Sequence, residues 1–282
     1  MVTLLALGAA LSYGVADFLG GAVSRRSTAL RALLWCVPTG LAFVVIATLL
    51  TGGSPTTSSM AWGFGAGLAG GTGLITFYRA LAQGPMSVVA PVSALTSSLL
   101  PVGAGLLRGE RLDTTVLLGV LLCLVAIGLV SMEENGEERR TAHGPIMAGV
   151  SGACFGVFFI LLKEAGDGSG LWPLVGARAG NLLIIVVAFA VLSRLRPDTG
   201  SKVSGRLLIA LALISGVLDA GANALYFLAV QDGMLSLAAV LTSLYPAITV
   251  LMARIAYSER LRAVQRIGLA IAAAGVALVT VG

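Results

Sequence analysis

Charged side chains are scarce in this sequence of 282 residues. Lys, Arg, Asp and Glu make up 11% of it and hydrophobic residues 57%, whereas a soluble globular domain contains about 25% charged residues. This composition excludes a soluble enzyme and a soluble nucleic-acid-binding domain, because such proteins keep a charged surface in water. The formal net charge of +5 is therefore informative about orientation, because basic residues collect in the loops on one side of a membrane.

Histidine and cysteine are also rare. His143 is the only histidine, and Cys36, Cys123 and Cys154 are the only cysteines. The cysteines lie in apolar runs and lack the spacing of a metal site or a disulfide framework. Residues 149–152, Gly-Val-Ser-Gly, are similar to a string in intramembrane serine proteases, but such an enzyme needs a histidine on another span to accept the serine proton. We therefore expect no enzymatic activity, no metal and no cofactor.

Apolar runs of membrane-spanning length follow one another along the chain. A bilayer core about 30 Å thick requires roughly 20 apolar residues per helix. The predicted fold class is an all-α integral membrane protein with ten transmembrane helices and no room for a nucleotide-binding domain. The predicted spans are residues 3–23, 30–50, 60–82, 86–107, 113–131, 144–163, 172–193, 206–230, 234–256 and 263–281.

The chain repeats itself. Tyr78 recurs 148 residues later as Tyr226, and Glu-Arg-Leu at 110–112 recurs 149 residues later at 259–261. Each half therefore contains five of the predicted spans. The predicted organisation is a first repeat at 1–131, a charged linker at 132–143 and a second repeat at 144–282.

Basic residues lie mainly on one side of the predicted spans. Fourteen lysines and arginines fall in the odd-to-even loops, whereas Arg108, Arg111 and Lys163 are the three on the other side. Because cytoplasmic loops contain an excess of Lys and Arg, we expect both termini outside the cytoplasm and the linker inside.

Carboxylates inside spans are candidates for function, because a charge at mid-membrane costs about 2.5–3.5 kcal/mol on insertion scales. Asp17 lies in the first span, and the repeat places Phe159 at the equivalent position of the second half. The alternative is that Asp17 lies close enough to the membrane–water interface to have a structural role only. Asp219 lies near the middle of the eighth span, where a buried ion pair with Arg178 is the alternative to a solute-binding role.

Asn223 and Tyr226 share a helical face with Asp219, because they follow it at spacings of four and three. Pro91 in the fourth span and Pro246 in the ninth predict interrupted helices in corresponding spans of the two halves, which is the best sequence indication of a transporter site. Ordinary packing of kinked helices is the alternative. We expect these two prolines to act as gates. The predicted substrate site consists of Tyr13, Asp17, Tyr78, Ser97, Asp219, Asn223, Tyr226 and Tyr245, with Arg178 and Arg79 as possible ion-pair partners.

The end of each half, RGERL at 108–112 and YSERL at 257–261, resembles the signature of EamA-type domains in the drug/metabolite transporter superfamily. The resemblance implies ten helices in two inverted repeats around a central cavity. Such relatives commonly have both termini in the cytoplasm, opposite to the arginine distribution. Residues 16–20, ADFLG, are similar to the acidic first-helix segment of small multidrug-resistance relatives, which implies that Asp17 binds or senses a coupling proton.

These observations predict a secondary active transporter that exports a small organic metabolite or drug-like solute by alternating access. Its partners would be the solute and the lipid bilayer of the cytoplasmic membrane, without nucleic acid. The protein would be a monomer or a homodimer. An intramembrane enzyme and a channel-like membrane protein are the alternatives.

Overall fold

The computed structural model describes residues 1–83, 86–110, 113–130, 143–166, 168–195, 203–257 and 263–281. Within these residues the chain forms eleven helices and no strand, because in lipid a helix satisfies every backbone polar group within its own segment. The helices are α1 (Val2–Arg26), α2 (Ala29–Thr51), α3 (Thr57–Gln83), α4 (Met86–Leu107), α5 (Thr114–Val130), α6 (His143–Glu164), α7 (Trp172–Leu195), α8 (Arg206–Gln231), α9 (Leu235–Thr242), α10 (Tyr245–Tyr257) and α11 (Ala263–Val281).

Some of the helices have the length and composition of membrane-spanning segments, and others are shorter. In the described chain, five are long and apolar enough to cross a membrane: Val2–Arg26, Ala29–Thr51, Ile146–Glu164, Trp172–Arg194 and Arg206–Gln231. The shorter apolar helices are Val92–Leu107, Thr114–Leu129, Leu235–Thr249 and Arg266–Gly275. These segments agree with an all-α membrane protein, and the count of ten spans stays a prediction.

The ninth predicted span, residues 234–256, is divided into α9 and α10 by a turn at Ser243 and Leu244. Pro246 explains the break, since proline has no backbone N–H with which to continue the helical hydrogen bonds of α9. At the turn, the Leu244 N–H donates to Leu241 O, three residues before it, at 3.3 Å. In a regular α-helix it would donate to the fourth residue before it.

The corresponding helix of the first half, α4, is continuous. This corrects the expectation that both helices are interrupted. In the repeat, Ser97 occupies the position of Pro246 and retains the backbone N–H that proline lacks. Pro91 lies within continuous α4, and its side chain lies outside the described part of the structure.

Helices of each half pack on helices of the other half, and equivalent helices make equivalent contacts. α1 packs on α8 as its counterpart α6 packs on α3, and α2 packs on α8 as α7 packs on α3. α1 also contacts α9 and α10, α6 contacts α4, and α5 packs on α11. The reciprocal contacts place the centre of the molecule between the halves rather than within either one.

Glycines allow the closest of these approaches. A Cβ atom at Gly63 would lie 2.0 Å from Pro173 O, and one at Gly67 would lie 2.0 Å from Ala177 O. Both distances are far below van der Waals contact, so only glycine permits α3 to pack on the backbone of α7 here. The four-residue spacing of these glycines is typical of helix faces that pack closely in membranes.

Candidate functional site

A cavity lies among helices of both halves. It contains about 510 Å³ of atom-free space, counting its open mouth. Helices α1, α3 and α4 line it from the first half, and α6, α7, α8 and α10 line it from the second. The lining residues are Tyr13, Asp17, Gly70, Leu74, Ser97, Phe155, Phe158, Phe159, Asn181, Asp219, Asn223 and Tyr245.

Six of the eight predicted substrate-site residues are among those that line the cavity. They come from four helices that are distant in sequence, and the fold brings them together. Their role in binding a solute stays a prediction. The six are Tyr13, Asp17, Ser97, Asp219, Asn223 and Tyr245.

Arg178 and Asp219 form an ion pair beside the cavity. Arg178 Nη1 donates to Asp219 Oδ2 at 2.6 Å, and the two side chains are 2% and 18% exposed. Arg178 Nη2 is buried without a hydrogen-bond partner among the described atoms. The ion pair offered by the sequence as the alternative for Asp219 is therefore present, although Asp219 also lines the cavity. Because the two charges compensate each other, the pair adds no net charge to the site.

Asn223 connects this ion pair to the first half. Tyr13 Oη donates to Asn223 Oδ1 at 2.7 Å, and Asn223 Nδ2 donates to Asp219 O at 2.7 Å. With its oxygen accepting and its nitrogen donating, the amide has one orientation that satisfies both neighbours. The first bond joins α1 to α8 and the second lies within α8, so together they fix three lining residues relative to one another.

Asp17 lies four residues after Tyr13, on the same face of α1, and lines the cavity. Its side chain is buried, and its carboxylate has no hydrogen bond or ion pair with any described residue. A buried charge without a partner is costly. Asp17 therefore places a carboxyl group in the cavity whose charge, when the group is ionised, no described side chain compensates.

An apolar wall on α6 faces these polar groups. It consists of Phe155, Phe158 and Phe159, and the ring centroids of Phe158 and Phe159 are 5.5 Å apart. Sequence reasoning identified none of these rings as lining, because phenylalanine is equally common on lipid-facing surfaces of membrane helices. Asn181 was also missed as a lining residue, although it is the only amide of the seventh span and follows Arg178 by one helical turn.

Tyr78 and Tyr226, which were also predicted for the wall, are not among the residues that line this cavity. Both are buried behind it. The Tyr226 ring packs against Phe159 with centroids 4.2 Å apart, and its hydroxyl has no partner among the described atoms. Tyr78 Oη lies 3.4 Å from Ser215 Oγ, in space left free because Gly20 has no Cβ. Helical periodicity gave the face of each tyrosine but not its depth along the helix.

Three further predictions concern residues away from the cavity. Arg79 forms no ion pair with a described residue, because it lies near the end of α3. The linker at 132–143 lies outside the described residues except for His143. No group of three or more His, Cys, Asp or Glu within the described ranges is placed to bind a metal ion.

Comparison with known proteins extends these observations. The model of the EamA-like transporter family matches residues 1–132 and 143–281, which are the two predicted repeats. Uncharacterized protein PA1977 of Pseudomonas aeruginosa is 38% identical over 118 residues, a stretch that covers 42% of this chain and 38% of that protein. One protein of known crystal structure superposes with a TM-score of 0.72 over 99% of this chain and 96% of its own, at 20% identity, which establishes a shared fold alone. The two matched repeats show that this multi-pass membrane protein belongs to the EamA-like transporter family.

Proposed function

We propose that the protein is a secondary active transporter that exports a small organic solute across the cytoplasmic membrane by alternating access. The observation on which this rests is the cavity itself, which is lined by helices of both halves and contains an uncompensated carboxylate. In transporters built from inverted repeats, the solute site lies at the repeat interface next to interrupted helices. The break between α9 and α10 directly precedes Tyr245 in that lining.

The lining favours a polar or zwitterionic solute with an apolar part. Asp17 offers a negative charge, Asn181 offers an amide oxygen without a partner among the described atoms, and the α6 rings offer an apolar surface. A cationic nitrogen is attracted both to a carboxylate and to the faces of aromatic rings. We therefore propose that the solute carries a basic nitrogen that binds at Asp17 while its apolar part contacts Phe155 and Phe158.

Asp17 is also the proposed site of proton coupling. A carboxylate can bind a proton or a cation, so proton entry from one side could displace the solute. The charged and titratable groups in the surrounding lining are Tyr13, Tyr245 and Asp219, with Arg178 paired to the last. If protons drive transport through Asp17, Asp17→Asn should abolish the pH dependence of uptake while the protein remains folded. Unchanged proton-driven uptake in this variant would exclude the coupling role.

The arginine distribution supports an orientation with both termini outside the cytoplasm. In a variant without native cysteines, a membrane-impermeant maleimide should fail to label a cysteine at Asn135 in intact cells. A cysteine at Ser54, in the exposed loop between α2 and α3, should be labelled in the same cells. The reverse pattern would establish the orientation common among relatives.

The experiment that tests transport is counterflow in proteoliposomes. A thermal-shift screen of metabolites first identifies a solute, since a ligand at 100 times its Kd adds about 2.7 kcal/mol of apparent stability. Saturable accumulation of labelled solute against an unlabelled internal pool is then expected. Flux that is linear in solute concentration would indicate a channel, and chemical conversion of the solute would indicate an enzyme.

One contact bears on the enzyme alternative. Ser151, from the Gly-Val-Ser-Gly string, shares a hydrogen bond of 2.8 Å with Ser93 through their hydroxyl oxygens. A hydroxyl group is a poor acceptor for a serine proton in comparison with histidine. The string packs instead, because a Cβ at Gly152 would lie 2.3 Å from Ser93 O.

A further inference from the structure

Glu110, the glutamate of the first RGERL string, reaches from the corner after α4 into the second half. Its Oε1 accepts the backbone N–H of Leu235 at 2.8 Å. Its Oε2 accepts the backbone N–H of Ser236 at 3.2 Å and the Ser236 hydroxyl at 2.6 Å. Leu235 and Ser236 are the first two residues of α9, so one carboxylate makes three hydrogen bonds across the halves.

The second half provides no side-chain cap for α9. Met234 stands at the cap position and makes no capping hydrogen bond. The first N–H groups of a helix have no partner within the helix, and they carry a partial positive charge. Glu110 satisfies two of these groups and complements their charge, which makes the first half responsible for the end of a second-half helix.

Gly105 on α4 makes room for this contact. A Cβ at Gly105 would lie 2.3 Å from Glu110 Oε2 and 2.4 Å from Ser236 Oγ. No larger residue fits without displacing one of the hydrogen-bonded groups. Three separate parts of the chain are therefore matched at one point.

Helix α9 occupies the space between this face of the molecule and the cavity. It contacts α1, α4 and α5 of the first half and α6 and α8 of the second, and nearly all of its residues are buried. Its eight residues extend about 12 Å. The chain then turns at Ser243 and Leu244 and reaches Tyr245, which lines the cavity.

A second contact crosses the halves at the same end. Arg108 Nη1 lies 2.5 Å from Glu164 Oε1, with side chains 45% and 34% exposed. Exposed ion pairs contribute little to stability. The charge-assisted bonds of Glu110 to a buried helix are the stronger of the two contacts.

We propose that Glu110 is the latch that keeps this face of the transporter closed. Its carboxylate holds the N-terminus of α9 against the first half, and these bonds break when the halves rearrange to open the cavity here. Glu110 is a positioning residue, since it acts on the cavity through α9. The inference rests on the proposed alternating-access function, and the arginine distribution makes this the external face.

Spin-label distances across the face test the latch. Labels at Asp113→Cys and Asp232→Cys, both exposed and in different halves, are attached to the full chain with Cys36, Cys123 and Cys154 replaced by alanine. We expect one short distance with wild-type Glu110. Glu110→Gln should add a longer distance and raise the ratio of open to closed protein about tenfold or more, equal to about 1.4 kcal/mol.

Thr56→Ala is the matched control. Thr56 Oγ1 accepts the backbone N–H of Ser59 at 3.1 Å, so it caps α3 on the same face without crossing the halves. This change should lower thermal stability and leave the distance unchanged. If Glu110→Gln folds poorly, Ser236→Ala removes one of the three bonds and should give a smaller rise in the open form. Unchanged distances in both Glu110→Gln and Ser236→Ala would overturn the latch.

Counterflow on the same preparations separates this inference from the function on which it rests. Wild-type counterflow together with unchanged distances in both the Glu110→Gln and the Ser236→Ala variants would overturn the latch alone. A longer distance in that variant without wild-type counterflow would overturn transport and retain Glu110 as the contact that closes this face.

Discussion

Asp17 and Phe159 occupy equivalent positions in the first helices of the two halves, 142 residues apart, and both line the cavity. The first half places an uncompensated carboxylate there, and the second half places an aromatic ring. The charged pair Arg178–Asp219 lies entirely in the second half. The repeat thus places unlike side chains at equivalent positions, so that α1 brings a carboxyl group to the cavity and α6 brings aromatic rings.

The largest expected effect comes from separating the paired charge of the second half. Arg178→Met should lower the free energy of unfolding by about 3–5 kcal/mol, because it leaves Asp219 buried without its partner. Unfolding in mixed detergent micelles measures this change. The double change Arg178→Met and Asp219→Leu should regain most of the stability. A single variant that loses less than about 1 kcal/mol would show that the pair does not compensate a buried charge.

The double variant also separates stability from binding at Asp219. If the pair only repairs a buried charge, the refolded double variant should transport as well as wild type. If Asp219 is part of the solute site, the double variant should fold and fail in counterflow. We expect the second result, because Asp219 lines the cavity.

The next largest effect is expected from a substitution that makes the first half resemble the second. Ser97→Pro places proline at the position equivalent to Pro246 and should break α4, at a cost of about 3 kcal/mol or more. The measurement is again detergent unfolding. Ser97→Ala is the control, because it removes only the hydrogen bond from Ser97 Oγ to Ala94 O. Equal stability of the two variants would show that α4 tolerates the same break as α9 and α10.

The sequence predicted part of this asymmetry. The repeat aligned Asp17 with Phe159. Pro246 predicted a bend, but the turn at Ser243 and Leu244 depends on how the backbone redistributes its hydrogen bonds.

Other features depend on tertiary contacts. Tyr226 shares a face with Asp219, yet it lies about two turns further along α8 and packs against Phe159, because a helical pattern does not report where a cavity ends. Phe155 and Phe158 gave no signal, since apolar side chains face both lipid and cavity in a membrane protein. Glu110 was recognised only as part of a repeated string, and its partners lie 125 and 126 residues away.

A smaller effect is expected when the charge of the first half is removed. Asp17→Asn should weaken binding of an amine-bearing solute by about tenfold, or about 1.4 kcal/mol, because the attraction to its cationic nitrogen is lost. The protein should remain as stable as wild type or become more stable, since Asp17 has no partner to lose. Isothermal titration on purified protein measures the affinity. Asp113→Asn makes the same change at an exposed position and should leave binding intact, whereas an equal loss in both variants would contradict the role of Asp17.

Alternating access requires that the one cavity between the halves opens to each side of the membrane in turn. Ser97→Cys, in a variant free of other cysteines, places a small reactive group in the lining. Reconstituted protein is treated with a membrane-impermeant maleimide from one side at a time, with and without solute. If transport occurs by alternating access, the cysteine at position 97 should be labelled from either side of the membrane. Solute should protect it from labelling on both sides. Labelling from a single side, with solute present or absent, would contradict alternating access at this cavity.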